Sequence, residues 1–146
     1  MADIVDAKTR SRMMAGIRGK DTTPEVRLRK ALHSAGFRFR LHSAKLPGRP
    51  DIVLTRFHAA VFVHGCFWHR HEGCRNASVP KSNAAFWAEK FAKNAERDAM
   101  NLTGLKELGW RVAIAWECAI RRRGAADVAA ELADWLISGG AEIEIG

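Results

Sequence analysis

Cys66, His71 and Cys74 fall within nine residues, and Cys118 follows far downstream. Three thiols and one imidazole meet the donor demand of a closed, tetrahedral structural Zn²⁺. Such an ion would tie an irregular loop to the end of a distant strand, a cross-link that needs no oxidising conditions. Every cysteine in the chain is used by this arrangement, and His69 competes with His71 for the nitrogen position. A second group of residues is suited to phosphodiester hydrolysis, which needs an oxygen ligand for a divalent cation, a base for water and a partner to hold that base. Asp51 follows Pro50 at the head of an apolar run, His64 closes the next run, and His69 comes soon after. Asp51 is the candidate ligand, and His69 or His64 titrates in the range a base requires. Glu25, at a helix start, and Asp98, on a long helix, are the carboxylates available to orient the two imidazoles.

These residues need elements to position them. Thr23 as N-cap, Pro24 at the first helical position and Glu25 at the positive end of the dipole open a helix with Leu28, Ala31, Leu32 and Ala35 on its buried face, and Gly36 stops it. Phe37, Phe39 and Leu41 alternate with Arg38, Arg40 and His42, the pattern of a strand with one basic face. After the turn LPGRP, the runs Ile52–Leu54 and Ala59–Val63 predict two central strands. Residues 64–82 are irregular, a long helix runs from about Asn83 to Leu108 and ends at Gly109, Trp110–Trp116 is a strand, and Asp127–Ile137 a final amphipathic helix. The order α-β-β-β-α-β-α predicts an α/β fold, a single-domain mixed sheet flanked by helices. A Pro-Asp opening one strand and polar groups closing the next suggest a nuclease core of the PD-(D/E)XK type. Phe62-Val63-His64, however, stands where an acid-x-lysine would be expected.

The chain of 146 residues is the size of one domain, with 47% hydrophobic and 27% charged residues. Its net charge of +8 is unevenly placed: residues 1–50 hold twelve Lys/Arg against four Asp/Glu, while residues 51–146 hold twelve of each. A basic first third is drawn to phosphate and releases counterions when it binds a nucleic acid. Residues 1–22 have few apolar groups, chiefly Met13, Met14 and Ile17, and are expected to order on DNA, with 23–146 as the nuclease domain. No stretch is long enough for a membrane span, a signal-peptide core is not evident, and the odd cysteine count argues against a secreted disulfide framework, so cytoplasm is expected. The adjacent aromatics Phe67-Trp68 and Phe86-Trp87 cannot all face one core, and rings left beside a basic loop are suited to wedge between base steps.

The strings LPGRPDIVL, VFVHGCFWHRH, FWAEKFAKNAERD and ELGWRVAIAWEC, with the opening KTRSRMMAGIRGKDTTPEVRLRKAL, resemble the very-short-patch repair (Vsr-type) mismatch endonucleases over roughly residues 6–123. The resemblance implies a Mg²⁺-dependent nick on the 5′ side of thymine in a T:G mismatch left by deamination of 5-methylcytosine. It implies Mg²⁺ ligation by Asp51 and the main-chain carbonyl of Val63, an active-site His69 paired with Glu25, and a second histidine, His64, with Asp98 beside it or beside the water at the metal. It further implies structural Zn²⁺ on Cys66, His71, Cys74 and Cys118, intercalation by Phe67, Trp68 and Trp87, and a DNA clasp that includes Met14 and Ile17. The loop around His71–Cys74 varies in length within the family, and residues 75–85 do not match it. The expected partner is mismatched double-stranded DNA, bound by a monomer with other repair proteins in attendance and no membrane. Two other readings stay open: a zinc-stabilised DNA-binding module without catalysis, and a related nuclease for another mismatch, a lesion or branched DNA. Intact Asp51, His69 and Glu25 speak against the first; none of them reports which base is recognised.

Overall fold

Pro24 and Glu25 open the first helix of the computed structural model, which describes residues 22–146. This helix, α1, spans Thr23–Ser34 with Thr22 at the N-cap, one residue earlier than its sequence signals indicate. Then come β1 (Arg40–Leu41), β2 (Ile52–Leu54), a short 3₁₀ turn, β3 (Ala59–His64), α2 (Ala84–Glu107) and β4 (Arg111–Trp116). Two helices, α3 (Glu117–Arg123) and α4 (Ala125–Ser138), and a last strand, β5 (Glu142–Ile145), complete the order. The five strands form one mixed sheet in sequence order, antiparallel from β1 to β3 and parallel from β3 to β5.

Strand alternation sorts the core into two layers. Val61 of β3 and Ala113 and Ala115 of β4 point to one face, where they meet Leu28 and Leu32 of α1, Ile120 of α3 and Val128, Leu132 and Leu136 of α4. Ala60, Phe62 and Val112 point to the other face, against Leu102 and Leu105 of α2. Covered on both sides, β3 and β4 read as nearly continuous apolar runs, as central strands with parallel pairing do. Helix α2, 24 residues and about 36 Å long, is anchored mainly at its C-terminal half; Leu105 is its one fully buried side chain.

The turn before Asp51 is pressed onto α2. A Cβ on Gly48, whose φ is +78°, would lie 2.9 Å from Asn101, and one on Gly104 would lie 3.1 Å from the Pro47 ring. A glycine on each side of this contact, Gly48 against Asn101 and Gly104 against Pro47, lets the backbone that delivers Asp51 sit directly on the helix.

The structure adds to the expected order and shortens one element. The strand expected from Phe37 to His42 pairs only at Arg40–Leu41; His42 takes a left-handed backbone (φ 47°) that ends it. Helix α3 is seven residues long and follows β4 with no turn signal between them. Strand β5 is a four-residue edge, half exposed, and pairs in parallel with β4. Its approach is fixed by Arg111, whose guanidinium donates to the carbonyls of Trp135 and Leu136 at the end of α4 and, through Nε, to that of Gly140. Among the described residues, no helix is long and apolar enough to cross a membrane.

Candidate active site and metal centre

The ends of β3 and β4 lie side by side, with His64 in register with Trp116. Cys66 and Cys118 each follow two residues later, so parallel pairing brings to one edge two thiols that are 52 positions apart in the chain. His71 and Cys74 join them from the loop, whose turns are held by the amides of His71 and Cys74 donating to the carbonyls of Cys66 and His71. The three Sγ atoms and one imidazole nitrogen all lie within 4.8 Å of one another, and Cys118 Sγ is 3.4 Å from His71 Nδ1. Burial pushes the Cys66 thiol up to about 12 and raises Cys118, whereas the backbone amide of Asn76 lowers Cys74. A cation at their centre offsets the cost of buried thiolates, and this donor set suits a tetrahedral metal.

Around this cluster the supports are specific. Cys66 N–H donates to Glu117 Oε1 at 3.0 Å, tying the loop to the start of α3. The His71 ring stacks on Trp116 with centroids 4.1 Å apart, and Trp116 Nε1 donates to Glu144 of β5 at 2.9 Å. A Cβ on Gly146 would come within 2.7 Å of His71 Nε2, so only a residue without one fits there. His69, the alternative nitrogen donor in the sequence, is turned elsewhere.

His69 belongs to a second cluster, on the α2 face of β3. Its Nδ1 lies 2.6 Å from Asp98 Oδ2, and its ring stacks on His64 with centroids 3.8 Å apart and planes 5° from parallel. His64 is buried and also packs edge-on against Trp116. Burial, reinforced by repulsion from His69, lowers His64 to about 3, so it stays neutral beside its neighbour. Nδ1 of His69 is engaged by the carboxylate, which leaves Nε2 as the nitrogen for chemistry.

The third cluster sits on the α1 face. Asp51 Oδ2 accepts the Val63 N–H at 2.7 Å, which fixes the carboxylate at the end of β3. Glu25, 2% exposed, accepts from His42 Nε2 at 2.9 Å and from Arg29 at 3.2 Å on the same oxygen. His42 Nε2 is 3.9 Å from the other Asp51 oxygen, Oδ1. Burial, and then the Glu25 carboxyl beside it, raises Asp51 to about 8 against the lowering effect of the Val63 amide. Two acids and an imidazole turned toward one spot are a donor set that could hold a cation.

One expected partnership changes, while Asp98 does lie beside His64 as expected. Glu25 holds His42, not His69, and Asp98 holds His69, with His64 stacked behind. Alternation along β3 is the reason: Val63 faces α1 and Glu25, whereas His64 faces α2 and Asp98. His42 was not among the sequence candidates, although hairpin register alone places it opposite Asp51, since Leu41 pairs with Ile52.

Phe67, Trp68 and Trp87 do come together, half-buried, in a cluster whose centroids are 5.2 to 5.6 Å apart. Phe91, one helical turn after Trp87, lies beneath them, and Arg70 spans its ring at 4.2 Å while donating to the carbonyls of Ala77 and Ser78. Phe86 is the exposed member of its pair, at 59%. Met14 and Ile17 lie outside the described residues.

Residues 2–75 match the family model for DNA mismatch endonuclease Vsr. The DNA mismatch endonuclease Vsr of Escherichia coli K12 is 45% identical over 148 aligned residues, covering 99% of this chain and 94% of that protein. The type II nicking enzymes V.NmeAIP of Neisseria meningitidis and V.XorIIP of Xanthomonas oryzae are each 45% identical, over 84% and 86% of this chain and 87% and 91% of their own lengths. Similarity at that level covers nearly the whole chain, well past the matched N-terminal half, and the protein belongs to the DNA mismatch endonuclease Vsr family.

Proposed function

We propose that the protein is a DNA mismatch endonuclease that nicks one strand 5′ to the thymine of a T:G pair arising from 5-methylcytosine deamination. The observation that carries this reading is the placement of two clusters astride the end of β3, an acid pair on one side and a His–Asp pair on the other. A phosphate laid across that strand end meets both.

Asp51, with the main-chain carbonyl of Val63, is the holder of a catalytic Mg²⁺, and Glu25 the second acid facing it. When bound, the ion supplies positive charge against the scissile phosphate and the departing oxygen. His69 Nε2 takes the proton of the attacking water as that oxygen bonds to phosphorus and the phosphorus–oxygen bond of the leaving strand breaks. Asp98 keeps the His69 proton on Nδ1 and faces the charge that then appears on the ring. Neutral His64, stacked on the same ring, fixes its plane without competing for the proton. Zn²⁺ on Cys66, His71, Cys74 and Cys118 holds the loop that carries both His69 and the aromatic wedge.

Phe67, Trp68 and Trp87 are the rings that enter the duplex. A mispair has already lost part of its pairing and stacking, so a wedge costs less there than at a matched pair. The basic N-terminal segment, residues 1–22 with Met14 and Ile17, closes over the DNA beside a nuclease domain of residues 23–146, a PD-(D/E)XK variant that acts as a monomer alongside other repair proteins. Cytoplasm is the compartment this implies, with the bacterial nucleoid when bound.

Labelled duplexes that differ in one base pair, T:G against C:G and T:A, incubated with Mg²⁺, test the proposal. Nicking beside the mispaired thymine, lost in Asp51→Ala while binding persists, is the expected result. Binding without nicking across metals and flanking sequences would leave a zinc-stabilised binding module. Nicking that ignores the mispair would keep the chemistry and overturn the substrate in favour of another mismatch, a lesion or branched DNA.

A further inference from the structure

Resting on the reading of Asp51 as the cation's acid, we propose that His42 is a direct ligand of the same ion through Nε2, and that the centre therefore takes Mn²⁺ in preference to Mg²⁺. Hairpin register sets residue 42 opposite residue 51, and the His42 amide donates to the Asp51 carbonyl at 3.3 Å. The left-handed backbone of His42 breaks the strand alternation there, and the side chain is only 14% exposed. Its Nε2 and one carboxylate oxygen from each of Glu25 and Asp51 lie within 4.8 Å of one another.

The spacings suit coordination. Neighbouring donors around an octahedral ion with bonds of about 2.1 Å stand about 3 Å apart, and opposite donors about 4.2 Å. His42 Nε2 is 2.9 Å from Glu25 Oε2 and 3.9 Å from Asp51 Oδ1, inside that range. The Val63 amide occupies Asp51 Oδ2, so Oδ1 is the oxygen left facing the imidazole. If Nε2 turns from Glu25 to an ion, Arg29 still donates to the same Glu25 oxygen. Magnesium strongly prefers oxygen, whereas an imidazole nitrogen favours first-row transition ions over it, Mn²⁺ being the weakest-binding and most oxygen-seeking of that row. A mixed nitrogen and carboxylate set therefore tilts this centre away from the all-oxygen ion.

The test uses the zinc-loaded full chain without DNA. Mn²⁺ binding is followed by electron paramagnetic resonance, Mg²⁺ by competition, and the bound Mn²⁺ is examined by electron spin-echo modulation for a directly bonded nitrogen. Wild type is expected to show nitrogen coupling and to bind Mn²⁺ at least about tenfold more tightly than Mg²⁺. In His42→Gln the coupling disappears, and Mn²⁺ affinity falls about tenfold while Mg²⁺ affinity changes little. A wild-type signal without nitrogen coupling overturns the proposal whether or not the variant folds, as does coupling that survives in His42→Gln. Asp51→Asn separates the two levels: if it keeps full Mn²⁺ affinity, the ion sits elsewhere and the reading of Asp51 itself fails.

Discussion

Replacing Asp98 by asparagine removes one negative charge from beside His69 and leaves a side chain of the same shape. The contact is short, 2.6 Å between Nδ1 and Oδ2, and the two side chains are 27% and 24% exposed. As His69 accepts the water proton its ring becomes positive, and the carboxylate then lies about 4 Å from the centre of that charge. In surroundings of effective dielectric about 20 this is worth about 4 kcal/mol. Partial exposure to solvent reduces it to about 2 kcal/mol. Because the ring charge exists only as the reaction proceeds, the loss falls on the chemical step, a decrease of about 30-fold. Single-turnover nicking of a T:G duplex under saturating enzyme measures that step, and fluorescence anisotropy on the same duplex measures binding. The expected outcome is a rate lowered about 30-fold or more with affinity unchanged. A rate within about threefold of wild type would show that His69 does not carry the proton.

Three further outcomes follow from the geometry. In the folded, cation-free protein Asp51 keeps its proton up to about pH 8, whereas its ordinary value is 3.8, so stability from this group is intact below pH 3.8 and is lost as pH rises toward 8. Asp51→Asn is accordingly expected to be more stable than wild type at pH 8 without divalent ions, by about 1–3 kcal/mol in urea melts, and equal stability there would refute the buried-proton account. Cys74→Ser, or removal of metal by a strong chelator, is expected to free the loop and abolish nicking, with proteolysis between residues 65 and 82 as the readout; an unchanged digestion pattern would contradict the role given to the thiols. Gly104→Val inserts carbon where even a lone Cβ would lie 3.1 Å from Pro47, and is expected to cost about 1–3 kcal/mol and slow nicking by shifting the turn before Asp51. Wild-type activity in that variant would show that the turn does not depend on α2.

The four donors of the thiol centre and Asp51 of the second group were legible in the sequence, because thiols, imidazoles and acids declare themselves by type. Their assembly was legible where strand order decides it: parallel pairing of β3 and β4 carries Cys118 to Cys66. What escaped was the partner of Glu25 and the bond between Asp98 and His69, which depend on which face of β3 each residue meets, a property of packing and not of spacing. His42 escaped for a related reason. Within an alternating run it resembles one more basic residue, and only the pairing register of β1 with β2 sets it opposite Asp51. The long helix announced itself by period and terminal glycine, whereas α3 and β5 are too short to establish a period, and β5 is held by Arg111 and by Glu144 on Trp116.

The chain has five tryptophans and no tyrosine, so its ultraviolet emission comes from indole alone. Trp116 stacks on His71 of the thiol cluster, Trp68 and Trp87 stand in the aromatic wedge, Trp110 stacks on His58, and Trp135 lies under Arg111. Loading of the thiol centre, entry of the wedge into a duplex and melting of the core therefore each disturb a different indole. Replacing them one at a time with phenylalanine would separate three overlapping optical signals. The unlabelled protein could then be watched taking up its metal, engaging a mispair and unfolding, each through its own chromophore.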